Sequence, residues 1–471
     1  MLRKPKSKPI FNLTEREDFM DNSVMLSYLE FKNVGPAKTM QVGFKDRINV
    51  ITGDNGLGKT FILDAVWWML TRVWPTELNP KAASGHMLRP QDPSKEATIK
   101  AIFDTRHIRS ATYKRSFKSG KENTSNFSRK AQEWGVEQAR PPIPGMIIYA
   151  QVDGGFSIWD PIRNCGTNEV YKEQGKVAPR GYVFTPYEIW NGVSSQDGTR
   201  VCKGIYEDLA SWYTSQDDVQ RTRFSAILEK LSPIDDPIMV TGTKRISVED
   251  TRMFPTITSK YGKDVPVIFA SSAIKRIIAL AYTLLWNWEE HNLICDLLGQ
   301  KKEHNIVFLI DEIECHLHPK WQRTIVDGIF KIMNVLDPQA KVQLILTTHS
   351  PLVMASLESK FDSEQDTWND IDYNPELQQP EVTQRVMEKY GSINNWLESE
   401  AFDISDAASI EHETLRNKCS MLYRDPKSKK EAWDECKASV EEKVSHLDPI
   451  AIAFNYEYLQ RFGNVTPDVK A

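Results

Sequence analysis

The chain lacks the features that would place it in a membrane or outside the cell. No run of 18 or more apolar residues occurs, and the most apolar stretch, Ile277–Leu285, is too short to span a bilayer. The charged amino-terminal residues are not followed by an apolar segment, so we expect no secretory signal peptide there. The six cysteines include no closely spaced pair, so we expect neither a disulfide framework nor a CxxC zinc site. Reduced thiols in the cytoplasm fit this pattern best.

Two further classes of protein are excluded by charge and by the absence of repeats. The chain has 59 basic and 64 acidic residues, a net charge of −5, so it is not a uniformly basic nucleic-acid coat protein. No repeat with a period of about 20–50 residues is present, which argues against a solenoid. A length of 471 residues suits two or three domains, or one large composite domain.

The distribution of apolar and charged residues predicts five segments. They are a polar leader (1–24), a first lobe with strand-like segments and a glycine-rich loop (25–165), a helical second lobe (166–304), the remainder of the core (305–355), and an acidic linker with a helical partner-docking region (356–471). Phe61–Thr71 is predicted to be a helix that packs through one side. No heptad pattern is sustained between Thr60 and Ser271, which excludes long coiled-coil arms.

A phosphate-binding loop is the strongest motif. Residues 53–60 read GDNGLGKT and match G-x-x-x-x-G-K-[ST], between a predicted strand (Ile48–Ile51) and a helix. Glycines allow successive backbone N–H groups to face phosphate oxygens, and the helix adds its positive end. Lys59 would reach the β- and γ-phosphates of ATP, and Thr60 would offer its hydroxyl to Mg²⁺. The residues predicted to bind the nucleotide are Gly53, Asn55, Gly56, Gly58, Lys59 and Thr60.

Two later apolar runs predict the rest of an ATPase centre. Ile306–Ile310 precedes Asp311 and Glu312, so a buried parallel strand would place Asp311 on Mg²⁺ and Glu312 as the general base. Val342–Leu346 is a second such strand, and His349 follows it at the edge where α/β proteins bind ligands. His349 is predicted to donate a hydrogen bond to the γ-phosphate or to the attacking water.

These three elements together resemble the ABC-type ATPase heads of the RecF, SMC and OLD families. The run DEIECHLHPKWQR (residues 311–323) is similar to the D-E-x-E-x-H-L-H-P-x-W-Q-R segment of bacterial AAA-family ATPases of the OLD/PtuA kind. The resemblance covers about residues 25–405 and implies an α/β P-loop head with a helical second lobe and a helical carboxyl-terminal extension. It also implies that His316–His318 meets a partner subunit, with a zinc pair as the alternative for the two histidines.

A signature segment is implied by the same resemblance. Ala270–Arg276 is similar to the A-S-A-G-M-[KR]-R form, in which Ser271 would touch the ATP of a second subunit. Ala273 replaces the family's glycine and adds a Cβ at the closest approach. Gln151, after the predicted strand Met146–Ala150, corresponds to the glutamine that senses Mg²⁺.

A nuclease centre is not predicted in this chain. Asp370 and Asp372 follow no apolar run, and the nine histidines form no HNH cluster. We therefore expect an ATPase subunit of a bacterial antiphage system, similar to PtuA or to retron-associated ATPases, which controls a separately encoded nuclease, for example of the HNH type. A RecF-like DNA repair ATPase and a nucleotide-gated scaffold with little hydrolysis are the alternatives.

The expected partners follow from the resemblance and from local charge. The family's composite sites form between two heads, which predicts a homodimer or a higher oligomer. Residues 100–130 hold nine basic and two acidic residues, so this stretch either follows DNA or is a solvated loop. No membrane partner is expected.

Overall fold

The computed structural model describes residues 26–103, 122–136, 141–142, 144–164, 177–195, 198–214, 218–260, 262–399, 402, 409–425, 427–446 and 448–462. The polar leader and most of the basic stretch lie outside these residues. The chain divides into two compact units, Met1–Lys389 and Tyr390–Ala471. Within the described ranges no helix is long and apolar enough to cross a lipid bilayer.

The secondary structure is numbered in chain order. The strands are β1 (Tyr28–Val34), β2 (Ala37–Gly43), β3 (Ile48–Gly53), β4 (Thr98–Ile102), β5 (Glu122–Ser128), β6 (Glu133–Val136), β7 (Met146–Ala150), β8 (Phe156–Trp159), β9 (Tyr182–Phe184), β10 (Val193–Ser194), β11 (Arg200–Cys202), β12 (Met239–Lys244), β13 (Phe254–Ser259), β14 (Gly262–Pro266), β15 (Asn305–Ile310), β16 (Lys341–Thr347), β17 (Thr367–Asn374) and β18 (Gln379–Arg385). The helices are α1 (Lys59–Thr71), α2 (Pro75–Leu78), α3 (Pro161–Asn164), α4 (Pro186–Asn191), α5 (Ile205–Thr214), α6 (Asp218–Leu231), α7 (Ser272–Leu298), α8 (Pro319–Gln322), α9 (Ile325–Leu336), α10 (Pro351–Leu357), α11 (Ile393–Leu397), α12 (Ile410–Arg424), α13 (Lys430–Lys443) and α14 (Pro449–Phe462).

The first unit is built on a mixed sheet in the order β18-β17-β3-β16-β15-β7-β8-β9. Strands β17, β3, β16, β15 and β7 run parallel, and the strands outside them are antiparallel. The apolar runs of β15 and β16 are buried, as parallel strands covered on both faces require. The predicted α/β fold is confirmed, and the parallel strands end at one common edge.

Helix α1 lies between this sheet and a second, antiparallel sheet in the order β2-β1-β4-β5-β6. One core cluster joins Phe31 of β1, Trp67 of α1 and Ile345 of β16. Eleven of the thirteen α1 residues are buried. The prediction that this helix packs through one side is therefore wrong, because a sheet covers each of two opposite sides.

The segment predicted as a helical second lobe is helical only in part. Helices α4 to α7 are present, but β10 and β11 form a hairpin and β12, β13 and β14 form an antiparallel sheet. The run Thr256-Ile257-Thr258 within β13 explains the departure, because β-branched side chains favour strands over helices.

The prediction of an acidic linker after residue 356 is wrong over 367–385. Here β17 pairs in parallel with β3 and turns back into β18. Two of the acidic side chains in or beside this segment, Asp366 and Asp370, are buried. Asp366 accepts hydrogen bonds from Arg47 Nε and from the Ile48 backbone N–H, both at 2.9 Å. Because these carboxylates have partners inside the fold, a charged sequence can form part of a central sheet.

The second unit consists of helices, as predicted for the end of the chain. Helices α12, α13 and α14 surround a small core in which Trp433 and Phe454 are fully buried. Leu415, Cys419, Cys436 and Val440 complete this core. Cys419 Sγ lies 3.4 Å from Cys436 Sγ, a proximity that their separation in sequence did not indicate.

Candidate nucleotide-binding site

The predicted phosphate loop connects β3 to α1. Gly53, Gly56 and Gly58 have φ angles of 129°, 81° and 110°, a region that side chains with a Cβ seldom enter. A Cβ on Gly53 would also collide with the carbonyl oxygen of Ile371 in the neighbouring strand β17. These two requirements explain why the loop has glycine where its backbone turns away from the sheet.

Lys59 is buried at the amino end of α1. Its Nζ donates to the carbonyl oxygens of Gly53 at 2.7 Å and of Asp54 at 2.8 Å. Burial lowers the pKa of Lys59, and the nearby carboxylate of Glu312 opposes that shift. The ammonium group therefore lies within its own loop, where phosphate oxygens can replace the carbonyl partners.

Thr60 and Asp311 lie together as the two predicted magnesium ligands. Thr60 Oγ1 donates to one carboxylate oxygen of Asp311 at 2.8 Å, and Thr347 Oγ1 donates to the other at 2.8 Å. Burial raises the pKa of Asp311, while these two hydrogen bonds lower it. A hydroxyl and a carboxylate are hard oxygen donors of the kind that Mg²⁺ prefers, so the pair fits this cation.

Glu312 adopts an unusual backbone conformation directly after Asp311. Its φ angle is +45°, in the left-handed region that few non-glycine residues occupy. The conformation is held by a 2.7 Å hydrogen bond from the Glu312 N–H to Thr347 Oγ1. Such local strain is found where a fold must direct a side chain to a site.

Gln151 and His349 follow β7 and β16, the two strands on either side of β15, at the same edge of the sheet. Gln151 is 1% exposed. The Nε2 atom of each is buried, and neither has a hydrogen-bond partner within the described part of the chain. Buried nitrogens of this kind are costly unless a ligand completes them, so both fit a phosphate or a bound water. Burial, and then the charge of Lys59, lowers the pKa of His349.

Ser271 is the N-cap of α7. Its Oγ accepts a 3.3 Å hydrogen bond from the Ile274 N–H, and both Ser271 and Ser272 are exposed. The start of this long helix thus offers a surface to a second molecule. An interaction between Ser271 and a partner's nucleotide stays a prediction.

The sequence reasoning missed two residues beside the site. Glu314 accepts hydrogen bonds from Thr348 Oγ1 at 2.7 Å and from the His349 N–H at 2.5 Å. Arg276 extends from α7 to the turn after Gln151, and its Nη1 lies 3.4 Å from where a Cβ on Gly154 would be. The signal for Glu314 was present, because it is the second acid of the Asp-Glu-x-Glu run, whereas the sequence indicated Arg276 only as part of the signature segment.

The two histidines of the segment 311–323, His316 and His318, lie just before helix α8. His318 caps α8, where its Nδ1 accepts from the Lys320 N–H at 3.3 Å. Among the residues that the structure describes, no group of three or more metal-ligating side chains is found.

Of the basic stretch, only Lys100, Arg129 and Lys130 are described; the other basic residues lie outside the described ranges.

Comparison with known proteins gives matches to ATPase families. Two family models match, described as "AAA domain, putative AbiEii toxin, Type IV TA system" over residues 214–355 and "AAA domain" over residues 28–140. The Septu protein PtuA of Bacillus thuringiensis is 23% identical to this chain over 333 residues. The match covers 70% of this chain and 72% of the length of that protein. A Retron Vc95 probable ATPase of Vibrio cholerae serotype O1 biovar El Tor is 30% identical over 201 residues, 42% of this chain and 36% of its own.

The solved structures that match include an SmcHead bound to the C-winged helix domain of ScpA. That head is 18% identical, with a TM-score of 0.40 over 78% of this chain and 98% of its own. The family models and the curated relatives confirm the resemblance drawn from the motifs. The chain is related to the AAA-type P-loop ATPases of the PtuA and retron kind.

Proposed function

We propose that the chain binds and slowly hydrolyses ATP, as one subunit of a bacterial antiphage defence system, and controls a separately encoded nuclease. The observation that supports this most directly is the meeting of Lys59, Thr60, Asp311 and Glu312 at one edge of the sheet. Lys59 and Thr60 belong to the loop that glycines shape for phosphate, and Asp311 and Glu312 follow β15, with Asp311 251 positions after Thr60. Few ligands other than a nucleoside triphosphate would use this whole set.

Each residue has a distinct part in the proposed reaction. Lys59 exchanges its two carbonyl partners for oxygens of the β- and γ-phosphates, and backbone N–H groups of the loop bind the same phosphates. Thr60 and Asp311 would hold Mg²⁺, which when bound neutralises phosphate charge. Glu312 accepts a proton from the water that attacks the γ-phosphate, and ADP and inorganic phosphate leave. His349 and Gln151 donate their unpartnered N–H groups to the γ-phosphate or to that water.

The assignment to defence is supported by the relatives, whose names are a Septu protein and retron ATPases. By this proposal two heads associate so that Ser271 of each reaches the nucleotide of the other. The test is expression with the neighbouring genes followed by purification. A nuclease that copurifies and cuts DNA only with this chain supports the proposal, whereas a chain that copurifies with recombination factors instead supports DNA repair.

A second candidate is a nucleotide-gated scaffold, which Ala273 favours. A Cβ stands there where the signature pattern has glycine, so a partner's phosphate cannot approach as closely. A turnover assay separates the two functions. Phosphate release that depends on Mg²⁺ and disappears in Glu312→Gln supports the ATPase, and tight ATP binding without release supports the scaffold.

A further inference from the structure

We propose that Glu314 is the positioning residue that holds His349 towards the γ-phosphate. The inference rests on the proposed ATPase function and adds a residue to its mechanism. The two oxygens of Glu314 bind consecutive residues of one loop, the His349 N–H at 2.5 Å and the Thr348 hydroxyl at 2.7 Å. A backbone held at this point directs the imidazole that follows it.

Residues 347–350, which include the loop after β16, are hydrogen-bonded at several points to the segment that follows β15. Thr347 Oγ1 donates to Asp311 and accepts from the Glu312 N–H. At the other end, Ser350 Oγ donates to Gln322 Oε1 at 2.7 Å. Glu314 supplies the middle of this connection, next to His349. Without it, the loop would remain attached at both ends but would be free to turn at the imidazole.

Glu314 does not act as a second general base in this arrangement. Both of its oxygens already accept hydrogen bonds from the loop, and the carboxylate accepts rather than donates. Burial raises the pKa of Glu314, whereas the hydrogen bonds from His349 and Thr348 lower it. Both oxygens of Glu314 therefore bind the loop, and His349 Nε2 has no hydrogen-bond partner within the described part of the chain.

A double-mutant cycle on ATP turnover tests this role. Glu314→Ala should lower kcat by roughly 10- to 100-fold, because a misplacement of about 1 Å can cost that much, while the Kd for ATP changes by less than about twofold. Glu314→Gln should retain much of the rate, since its amide oxygen still accepts from the His349 N–H and the Thr348 hydroxyl can rotate to accept from the amide. In a His349→Ala background, Glu314→Ala should cause no further loss of kcat.

A matched control is Glu188→Gln, since Glu188 is also a buried acid but belongs to the capping box of α4. It should leave turnover unchanged. If the losses from Glu314→Ala and His349→Ala multiply in the double mutant, or if ATP affinity falls with kcat, the positioning role is refuted. Should Glu314→Ala fail to fold, the same cycle with Glu314→Asp decides, because a side chain shorter by one methylene should not keep both hydrogen bonds to the loop. A wild-type chain that binds ATP without turnover refutes the proposed ATPase function itself, and this role with it.

Discussion

Replacement of Lys59 should weaken ATP binding, whereas replacement of Glu312 should slow ATP hydrolysis. Lys59 already has two carbonyl partners at 2.7 and 2.8 Å, so ATP binding exchanges neutral acceptors for charged ones. A hydrogen bond to a charged group contributes about 1.5–3 kcal/mol, so Lys59→Ala should weaken ATP binding roughly 10- to 150-fold. Glu312 presents a negative charge to the same polyanion. Glu312→Gln should therefore preserve or improve ATP affinity.

The effect of Glu312→Gln should instead appear in turnover. Glutamine keeps the shape of the side chain but cannot accept the proton of the attacking water. Loss of a general base lowers rates by roughly 10²–10⁴, which corresponds to about 3–5.5 kcal/mol of activation free energy. ATP should remain bound and uncleaved in this variant.

The assay combines equilibrium binding of a fluorescent ATP analogue with phosphate release at saturating ATP and Mg²⁺. Glu188→Gln serves as the control for removing a buried carboxylate elsewhere in the same unit. If the Lys59 and Glu312 variants lose ATP affinity equally, or if Glu312→Gln turns over at the wild-type rate, the assigned roles are wrong.

Three further outcomes are expected. Glu312→Gln with ATP and Mg²⁺ should form dimers or larger species by light scattering, whereas Lys59→Ala should not; a strict monomer in both cases contradicts head-to-head association. A variant with glutamate at four basic positions should bind DNA more weakly and with a weaker salt dependence; the positions are Lys114, Arg115, Lys118 and Lys121. The slope of log K against log salt concentration should fall in magnitude by about 0.9 for each phosphate no longer neutralised. Unchanged binding would assign the stretch to a plain surface loop. Trp433→Ala should destabilise the second unit by about 3–5 kcal/mol without changing ATP affinity, because Trp433 is the fully buried centre of that unit's core; equal loss of both would contradict its independence.

The parallel part of the fold could be predicted from the sequence because its signals are local. A buried parallel strand usually has a nearly continuous apolar run. Ile306–Ile310 is such a run, and Val342–Leu346 is interrupted only by Gln343. The signal for the phosphate loop is also local, since its glycines are needed for positive φ angles within a segment of eight residues. The common edge of the sheet then brings Asp311 and Thr60 together, although they are 251 residues apart.

Strand β17 could not be predicted in the same way, because its signal is distant. Its sequence, TWNDIDYN, contains two acids and only three apolar residues. The partners that make it compatible with a central sheet are Thr52 and Arg385, and Trp368 donates to that same Thr52. A polar strand of this kind is stable only when its buried polar groups have partners, and one of these partners, Thr52, is 318 positions away from Asp370. Glu314 is visible in the sequence as the second acid of the Asp-Glu-x-Glu run, but its partners, Thr348 and His349, lie 34 and 35 residues later.

Asp370 and Asp372 are the residues that bear on whether this chain could cleave DNA by itself. Asp370 and Asp372 do lie on a strand, so the absence of a strand cannot exclude a metal site there. Their charges, however, are already compensated: Arg385 Nε lies 3.1 Å from Asp370, and Arg385 Nη2 lies 2.8 Å from Asp372. Thr52 donates the second hydrogen bond of Asp370, and burial raises the pKa of that carboxyl to about 6.

A catalytic metal would have to displace Arg385, and the described residues offer no third acidic ligand at this place. We therefore expect the purified chain to leave plasmid and linear DNA intact with Mg²⁺ or Mn²⁺, and cleavage to begin only when a partner nuclease is added. Asp372→Asn should not alter cleavage by the complex, whereas an active-site variant of the partner should abolish it. Metal-dependent cutting by the chain alone, lost in Asp370→Asn or Asp372→Asn but kept in Glu312→Gln, would show that this carboxylate pair is a nuclease centre.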